Sequence, residues 1–284
     1  MDNLADMVRV YISVDMEGIA GVSHANPTRR GDVGYPEAVA LMVGEANAAI
    51  DGAFDGGATE VTVNDSHGGM YNLTPEALDR RARLVTGKKP LSMVEAAGDS
   101  DFDVALFVGY HARAGHPTGV IAHTYNPRAV LVEIGGRPAT EAALNGLYLG
   151  ALGVPVAMVT GDDALAAELD DWMPWAETVV VKHAISYQAA DSVHPSLARD
   201  LIRDAARRSV ERARGDGNTL QPLVLDPPLD LRIEFTTPSQ ADFVATIPGF
   251  DRIGDRSVTY STDDAITLFR AFISAIRIAP AADD

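Results

Sequence analysis

The 284-residue chain sets 23 Lys and Arg against 40 Asp and Glu, a net charge of −17, and a surface of that sign repels phosphate backbones and anionic lipid. Nucleic-acid and membrane partners are therefore not expected. With 46% apolar and 22% charged residues the composition is that of a globular protein with a sizeable core, and the lack of Cys removes disulfides and thiolate catalysis.

Residues 1–6 are acidic and carry no apolar segment of the signal-peptide kind. No apolar run approaches the ~20 residues of a membrane span, so a soluble, cytoplasmic protein is expected. Residues 8–14 are rich in β-branched side chains and predict a buried strand. It runs into Ser13-Val14-Asp15-Met16-Glu17-Gly18. Positions two apart in a strand share a face, so Asp15 and Glu17 present two carboxylates side by side. Strand ends of this kind carry the sites of open α/β sheets, and two close carboxylates repel unless a cation or a shared proton relieves them. Taken alone, the pair reads as a solvated strand end.

Residues 23–35 are polar, contain His24 and predict a loop long enough to cover a site. From Pro36 the apolar residues Val39, Met42, Val43, Ala46, Ala49, Ile50 and Ala53 recur at helical spacing, and Gly56-Gly57 stop the helix. Residues 60–64 predict a second strand, completing a βαβ unit with a right-handed crossover. That strand ends in Asn64-Asp65-Ser66-His67. Residues 103–109 predict a third strand, which ends in Tyr110-His111-Ala112-Arg113. A lone His is ordinarily a hydrogen-bonded structural residue. Three apolar strands that each end in Asp, Glu or His are a site hypothesis.

Residues 129–134 with Gly135-Gly136 predict a strand and a tight turn, and Glu141 opens a helix, where the helix dipole alone would explain an acid. Residues 154–160 predict a fourth strand, and Asp162 and Asp163 read as caps of the helix after it. The tail offers a strand at 178–182 and a helix at 196–214 with six arginines, ending before Gly215-Asp216-Gly217. Strands at 229–236 and 258–261 precede a last helix that aligns Ile266, Phe269, Ile273 and Ile276. The expected fold class is α/β, with a Rossmann-like parallel sheet over residues 1–177 holding a metal site at the C-terminal ends of its strands. Residues 178–284 form a smaller α+β part assigned to assembly and substrate shape.

Asp15, Glu17, His67 and His111, with Glu141 as a further candidate, make a mixed carboxylate and imidazole set. Without thiolates, a closed zinc site of the finger type is excluded. The set suffices for two divalent ions, and Asp15 could bridge them. Zn²⁺ leads, with Mn²⁺ and Co²⁺ open. An open dinuclear site acidifies bound water and polarises a carbonyl or phosphoryl oxygen, so hydrolysis is the expected reaction class.

Ser13-Val14-Asp15-Met16-Glu17-Gly18, Asn64-Asp65-Ser66-His67 and Gly109-Tyr110-His111-Ala112-Arg113-Ala114 stand in one order with His123, Arg137-Pro138, Glu141, Asn145 and Gly161-Asp162-Asp163. In motif and spacing this resembles the dipeptide-operon D-aminopeptidases, peptidase family M55. The resemblance implies two Zn²⁺ per chain held by Asp15, Glu17, His67, His111 and Glu141, with His123 as the catalytic residue. It further implies short peptides with an N-terminal D-amino acid as substrates and a ring-shaped homo-oligomer, a decamer. The segment between His111 and His123 is longer than the family's pattern by one position at Gly115-His116-Pro117-Thr118, which makes His116 a competitor. General-base and nucleophilic roles for His123 both stand open. Lys182 and Asn145 are candidates to hold substrate or a developing oxyanion. Two other readings compete. One is a metal-dependent amidohydrolase or phosphoesterase on a non-peptide substrate, although only Arg113 among the motif residues could clamp a phosphate. The other is a non-enzymatic metal-stabilised assembly or amino-acid-binding module with a closed coordination sphere.

Overall fold

Val10, Tyr11, Ile12 and Val14 leave the first strand no solvent-facing side, and burial on both faces is the mark of a strand inside a parallel sheet. The computed structural model describes residues 7–99, 101–215 and 219–283. The acidic start at residues 1–6 and Asp216-Gly217 after the arginine-rich helix lie outside them. In chain order, β1 (Arg9–Val14) leads to α1 (Tyr35–Asp55), β2 (Glu60–Asp65), β3 (Arg83–Val85) and β4 (Val104–Val108). Then come β5 (Ala129–Ile134), β6 (Arg137–Pro138), α2 (Glu141–Ala151), β7 (Val156–Asp162) and α3 (Asp163–Leu169). The chain continues through β8 (Glu177–Ser186), β9 (Ala189–Ser192), α4 (Pro195–Arg214) and β10 (Leu229–Phe235). It closes with α5 (Pro238–Val244), β11 (Asp251–Ile253), β12 (Ser257–Thr262) and α6 (Ala265–Ile278).

The larger sheet has seven strands in the order β3-β2-β1-β4-β7-β8-β9. Pairing is parallel from β3 to β8, and β9 returns antiparallel as a hairpin. The chain steps outward from β1 through β2 to β3, then restarts on the other side of β1 with β4. The order therefore reverses between β1 and β4, and the crevice beyond the carboxyl ends of such a pair is where open α/β sheets bind ligands. The α/β fold class read from the sequence holds.

A second sheet of five antiparallel strands runs β11-β12-β10-β5-β6. Its members come from both sides of position 177, and β8, β9 and α4 return to the larger sheet. One face of the larger sheet is covered by α1 and α4, where Met42, Ala46 and Ile50 meet Ile202, Ala206 and Val210. The other face shares a core with α2, the second sheet and α6, joining Tyr11 and Phe107 to Leu144, Leu231, Phe235 and Phe272. One stretch, 265–282, does approach the length and apolarity of a membrane span, with mean hydropathy 1.5 over 18 residues. Its Leu268, Phe269, Phe272 and Ile273 face this core, while Thr267, Arg270, Ser274 and Arg277 form an exposed polar stripe. It is a core helix.

Candidate metal centre

Two glycines let the exits of β1 and β4 touch. A Cβ on Gly18 would sit 1.9 Å from the Tyr110 carbonyl oxygen, and one on Gly109, at φ +72°, would sit 2.3 Å from that of Asp15. No side chain fits either gap. The crossing is bonded by Asp15 N–H to the Val108 carbonyl (2.8 Å) and Gly18 N–H to the Gly109 carbonyl (2.8 Å). Asp15, Glu17 and His111 are thereby brought to one point. His67 arrives from the end of β2, where the Asp65 carboxylate accepts the Asn72 (2.6 Å) and Leu73 (2.8 Å) N–H groups and folds the following loop back. Glu141 is the first residue of α2, fixed by the Thr140 cap, whose hydroxyl accepts Ala143 N–H at 2.9 Å.

Asp15, Glu17, His67, His111 and Glu141 are all buried, and His123 is half-buried. His67 Nδ1 lies 3.1 Å from Asp15 Oδ1 and 2.9 Å from Glu17 Oε2. His111 Nε2 lies 3.4 Å from both Asp15 Oδ2 and Glu141 Oε1. His123 Nε2 is 3.7 Å from Glu141 Oε1, and its ring stacks on His111 with centroids 4.2 Å apart. Two groups of potential ligand atoms result, Asp15-Glu17-His111 and His111-Glu141-His123, each within 4.8 Å.

Each imidazole is oriented by a backbone carbonyl. The second ring nitrogens are Nε2 of His67, 2.6 Å from the Thr28 oxygen, and Nδ1 of His111, 2.9 Å from that of Ala112. For His123 it is Nδ1, 3.0 Å from the Ile121 oxygen. A carbonyl only accepts, so the N–H of each ring points there, and in the neutral tautomer the other nitrogen turns a lone pair into the cluster. His111 Nε2 is buried without a hydrogen-bond partner, a costly arrangement unless something else satisfies it. Three carboxylates and three such nitrogens are a donor set that fits divalent cations.

Electrostatics point the same way. Burial would raise the Asp15 carboxyl, but the His111 and His67 imidazoles beside it outweigh that and bring it down to about 2. Glu17 and Glu141 are likewise buried, yet His67 and His111 respectively hold them below the ordinary value. Burial would lower the two imidazoles, but Glu17 and Asp15 push His67 well above its usual range, and Glu141 and Asp15 do the same to His111. Protons on the rings and cations between them are alternative ways of neutralising the same carboxylates.

Beyond the ligand cluster, residues 121–125 form a tight segment with Ile121 at φ +51° and Tyr125 at φ +62°. The Tyr125 N–H donates to Glu141 Oε1 (2.6 Å) and its hydroxyl to Asn145 Oδ1 (2.6 Å). Asn145 in turn bonds the Tyr110 hydroxyl (3.0 Å) behind the site and does not line the cleft. Lys182 is also spent on structure. Its buried ammonium donates to the carbonyls of Glu17, Ile19 (3.2 Å) and Val22 (2.6 Å), and burial lowers its pKa to about 8. His116 Nδ1 accepts the Gly119 N–H (2.9 Å) and closes its own turn. Arg113 pairs with Glu168 at 2.8 Å. Asp162 is a cap, accepting Leu165 N–H at 2.8 Å. The open cleft, about 540 Å³, is lined by Asp15, Glu17, His67, His123 and Glu141 and also by Arg29, Arg30 and Lys88, which no sequence motif marks.

Residues 8–274 match the peptidase M55 family, described as D-aminopeptidase. The chain belongs to this family. The matched span contains all six clustered residues. The D-aminopeptidase of Bacillus subtilis (strain 168) is 36% identical over 274 residues, covering 96% of this chain and 98% of that protein. A solved structure of Zn-dependent D-aminopeptidase DppA from Bacillus subtilis, a self-compartmentalizing protease, superposes with a TM-score of 0.89 at 36% identity, covering 96% of this chain and 98% of that one. The M55 architecture thus extends through the tail as well as through the motif-bearing strands.

Proposed function

We propose that this M55 peptidase is a dinuclear zinc aminopeptidase that releases N-terminal D-amino acids from short peptides or amides. Asp15, Glu17, His67, His111 and Glu141 would hold the ions, and His123 would act on the substrate. The observation that carries the reading is the buried, unpartnered Nε2 of His111 between Asp15 and Glu141. The choice of zinc follows the Zn-dependent Bacillus subtilis relative. When bound, zinc supplies Lewis acidity toward a carbonyl oxygen and a lowered pKa for water.

The chain's own residues do the rest. Tyr125 N–H fixes which Glu141 oxygen faces His111 and His123. The bond from His123 Nδ1–H to Ile121 leaves Nε2 with a free lone pair on the cleft side, as a base or as a nucleophile. Stacking on His111 limits the rotation of that ring. Asp15, Glu17 and Glu141 line the cleft, so ions held there would be open to the free amino group and the scissile carbonyl of a substrate. The open cleft favours an enzyme over a metal-stabilised module. Following the self-compartmentalizing relative, the protein would work as a homo-oligomer, a decamer by family resemblance.

The test combines elemental analysis with turnover. About two divalent ions per chain are expected after zinc reconstitution, with D-Ala-D-Ala cleaved at least ~10²-fold faster than L-Ala-L-Ala. Fewer than one ion per chain would sink the dinuclear centre. Equal rates on the two dipeptides, or faster turnover of p-nitrophenyl phosphate, would replace the substrate.

A further inference from the structure

In a chain of net charge −17, a cluster of cations at one cleft calls for a reason. Arg29, Arg30 and Lys88 all line the cleft that holds the carboxylate and imidazole cluster. The side chains of Arg29 and Lys88 make no hydrogen bond or ion pair among the described residues, whereas other arginines of the chain, such as Arg81, Arg203, Arg208 and Arg256, are paired with carboxylates. Arg30 is held in place by a bond to the Tyr71 carbonyl and by its position over the Tyr35 ring, 5.6 Å from the centroid, which leaves the rest of its fork free. Two unpaired cations and one fixed guanidinium share the cleft with three buried carboxylates. The ligand cluster and the three cations therefore open on the same cleft.

We infer that Arg29, Arg30 and Lys88 form a subsite for the C-terminal carboxylate of the substrate, so that the enzyme selects short zwitterionic peptides over their amides. This rests on the aminopeptidase reading, which puts the substrate's amino end at the metal-ligand cluster. A volume of about 540 Å³ suits a ligand of a few residues, with both charged ends inside one cleft. Arginine and lysine recognise a carboxylate by charge-assisted bonds, the former with two parallel donors. All three residues are solvent-exposed, so the attraction is screened by salt.

The test compares D-Ala-D-Ala with its C-terminal amide on the zinc-loaded protein. The free acid is expected to exceed the amide about tenfold in kcat/KM, chiefly through KM. That advantage should shrink as ionic strength rises from about 0.05 to 0.5 M. In the Arg29→Gln, Lys88→Gln double variant the acid-to-amide ratio should fall toward one, and Lys88→Arg alone should keep it. A wild-type ratio near one, or a ratio unchanged in the double variant, overturns the subsite while D-selective cleavage leaves the aminopeptidase standing. Cleavage of neither substrate removes both. If the double variant does not fold, the wild-type ratio and its salt dependence decide the matter.

Discussion

His111 stands at the centre of the site. Its Nδ1–H is spent on the Ala112 carbonyl, and its Nε2 faces Asp15 and Glu141 with nothing to bond. Asp15 has one oxygen toward His67 and the other toward His111, so its removal takes a ligand from both sides of the cluster. Asp15→Ala is therefore expected to lose most bound zinc and all turnover, read by elemental analysis and D-Ala-D-Ala hydrolysis. His123 is different, because it meets the cluster at its edge, 3.7 Å from Glu141 and stacked on His111, and opens on the cleft. His123→Ala should keep most of its zinc while kcat falls at least ~10²-fold. His116→Ala removes only a turn acceptor and should leave kcat within a few-fold. A dead His116→Ala beside an active His123→Ala would reassign the catalytic histidine. Asp15, Glu17, His67 and His111 could be read as candidates because each follows a recognisable apolar strand, and Glu141 because it opens a helix, whereas His123 lies in a loop and is marked only by the family resemblance. Thr28 and Tyr125 could not. They act through a carbonyl oxygen and an N–H, atoms that every residue but proline carries and that no side-chain pattern marks.

At the scale of elements, the loop at 17–22 carries Glu17 and is held from two sides. Lys182 of β8 gathers its carbonyls, and Glu45 of α1 accepts the Ala20 N–H at 2.8 Å. Burial raises Glu45 to about 7, although the Ala20 bond, Lys182 and Arg199 all favour its charged form. Its second oxygen has no partner. Because the folded value lies above the unfolded one of about 4.3, the folded state keeps a proton that the unfolded chain has shed. The stability this contributes is present in full below the unfolded value and is lost as pH rises through about 7. Glu45→Gln keeps the acceptor and removes the titration. Between pH 5 and pH 8 the variant should gain on the wild type by up to about 3 kcal/mol in urea unfolding, and a difference that does not move with pH would refute this account. The longer elements were legible for plain physical reasons: β-branched runs for the central strands, and apolar spacing for α1 and α6. β9, with the sequence Ala-Ala-Asp-Ser, has no apolar alternation and exists because β8 offers it an edge. α5 is only seven residues long, yet its Thr237–Gln240 capping box was a signal in the sequence that could have found it.

For the whole molecule, the two sheets are not separable in the way their chain order suggests. β5 and β6 leave the first part of the chain to pair with β10, and β8, β9 and α4 return to the larger sheet. Between the sheets lies one core, in which Tyr148 of α2 meets Phe269 of α6 at 4.9 Å. Tyr125, whose N–H fixes Glu141, packs edge-on against Phe272 of α6 at 5.0 Å. Detaching α6 and the second sheet would expose the inner side of α2 and release the segment that orients Glu141. The ligand cluster and the tail should consequently unfold together. In urea, far-UV circular dichroism, Trp172 and Trp175 fluorescence and zinc release to a colorimetric chelator are expected to share one midpoint. Phe272→Ala, a large-to-small change in that shared core, should lower stability by about 3–5 kcal/mol and move all three midpoints together. A fragment of residues 1–177 lacks two strands of the larger sheet and the helix that covers α1, and it should neither fold nor hold zinc. Retention of zinc by that fragment, or loss of the tail at lower urea than the metal, would show the two parts to be independent.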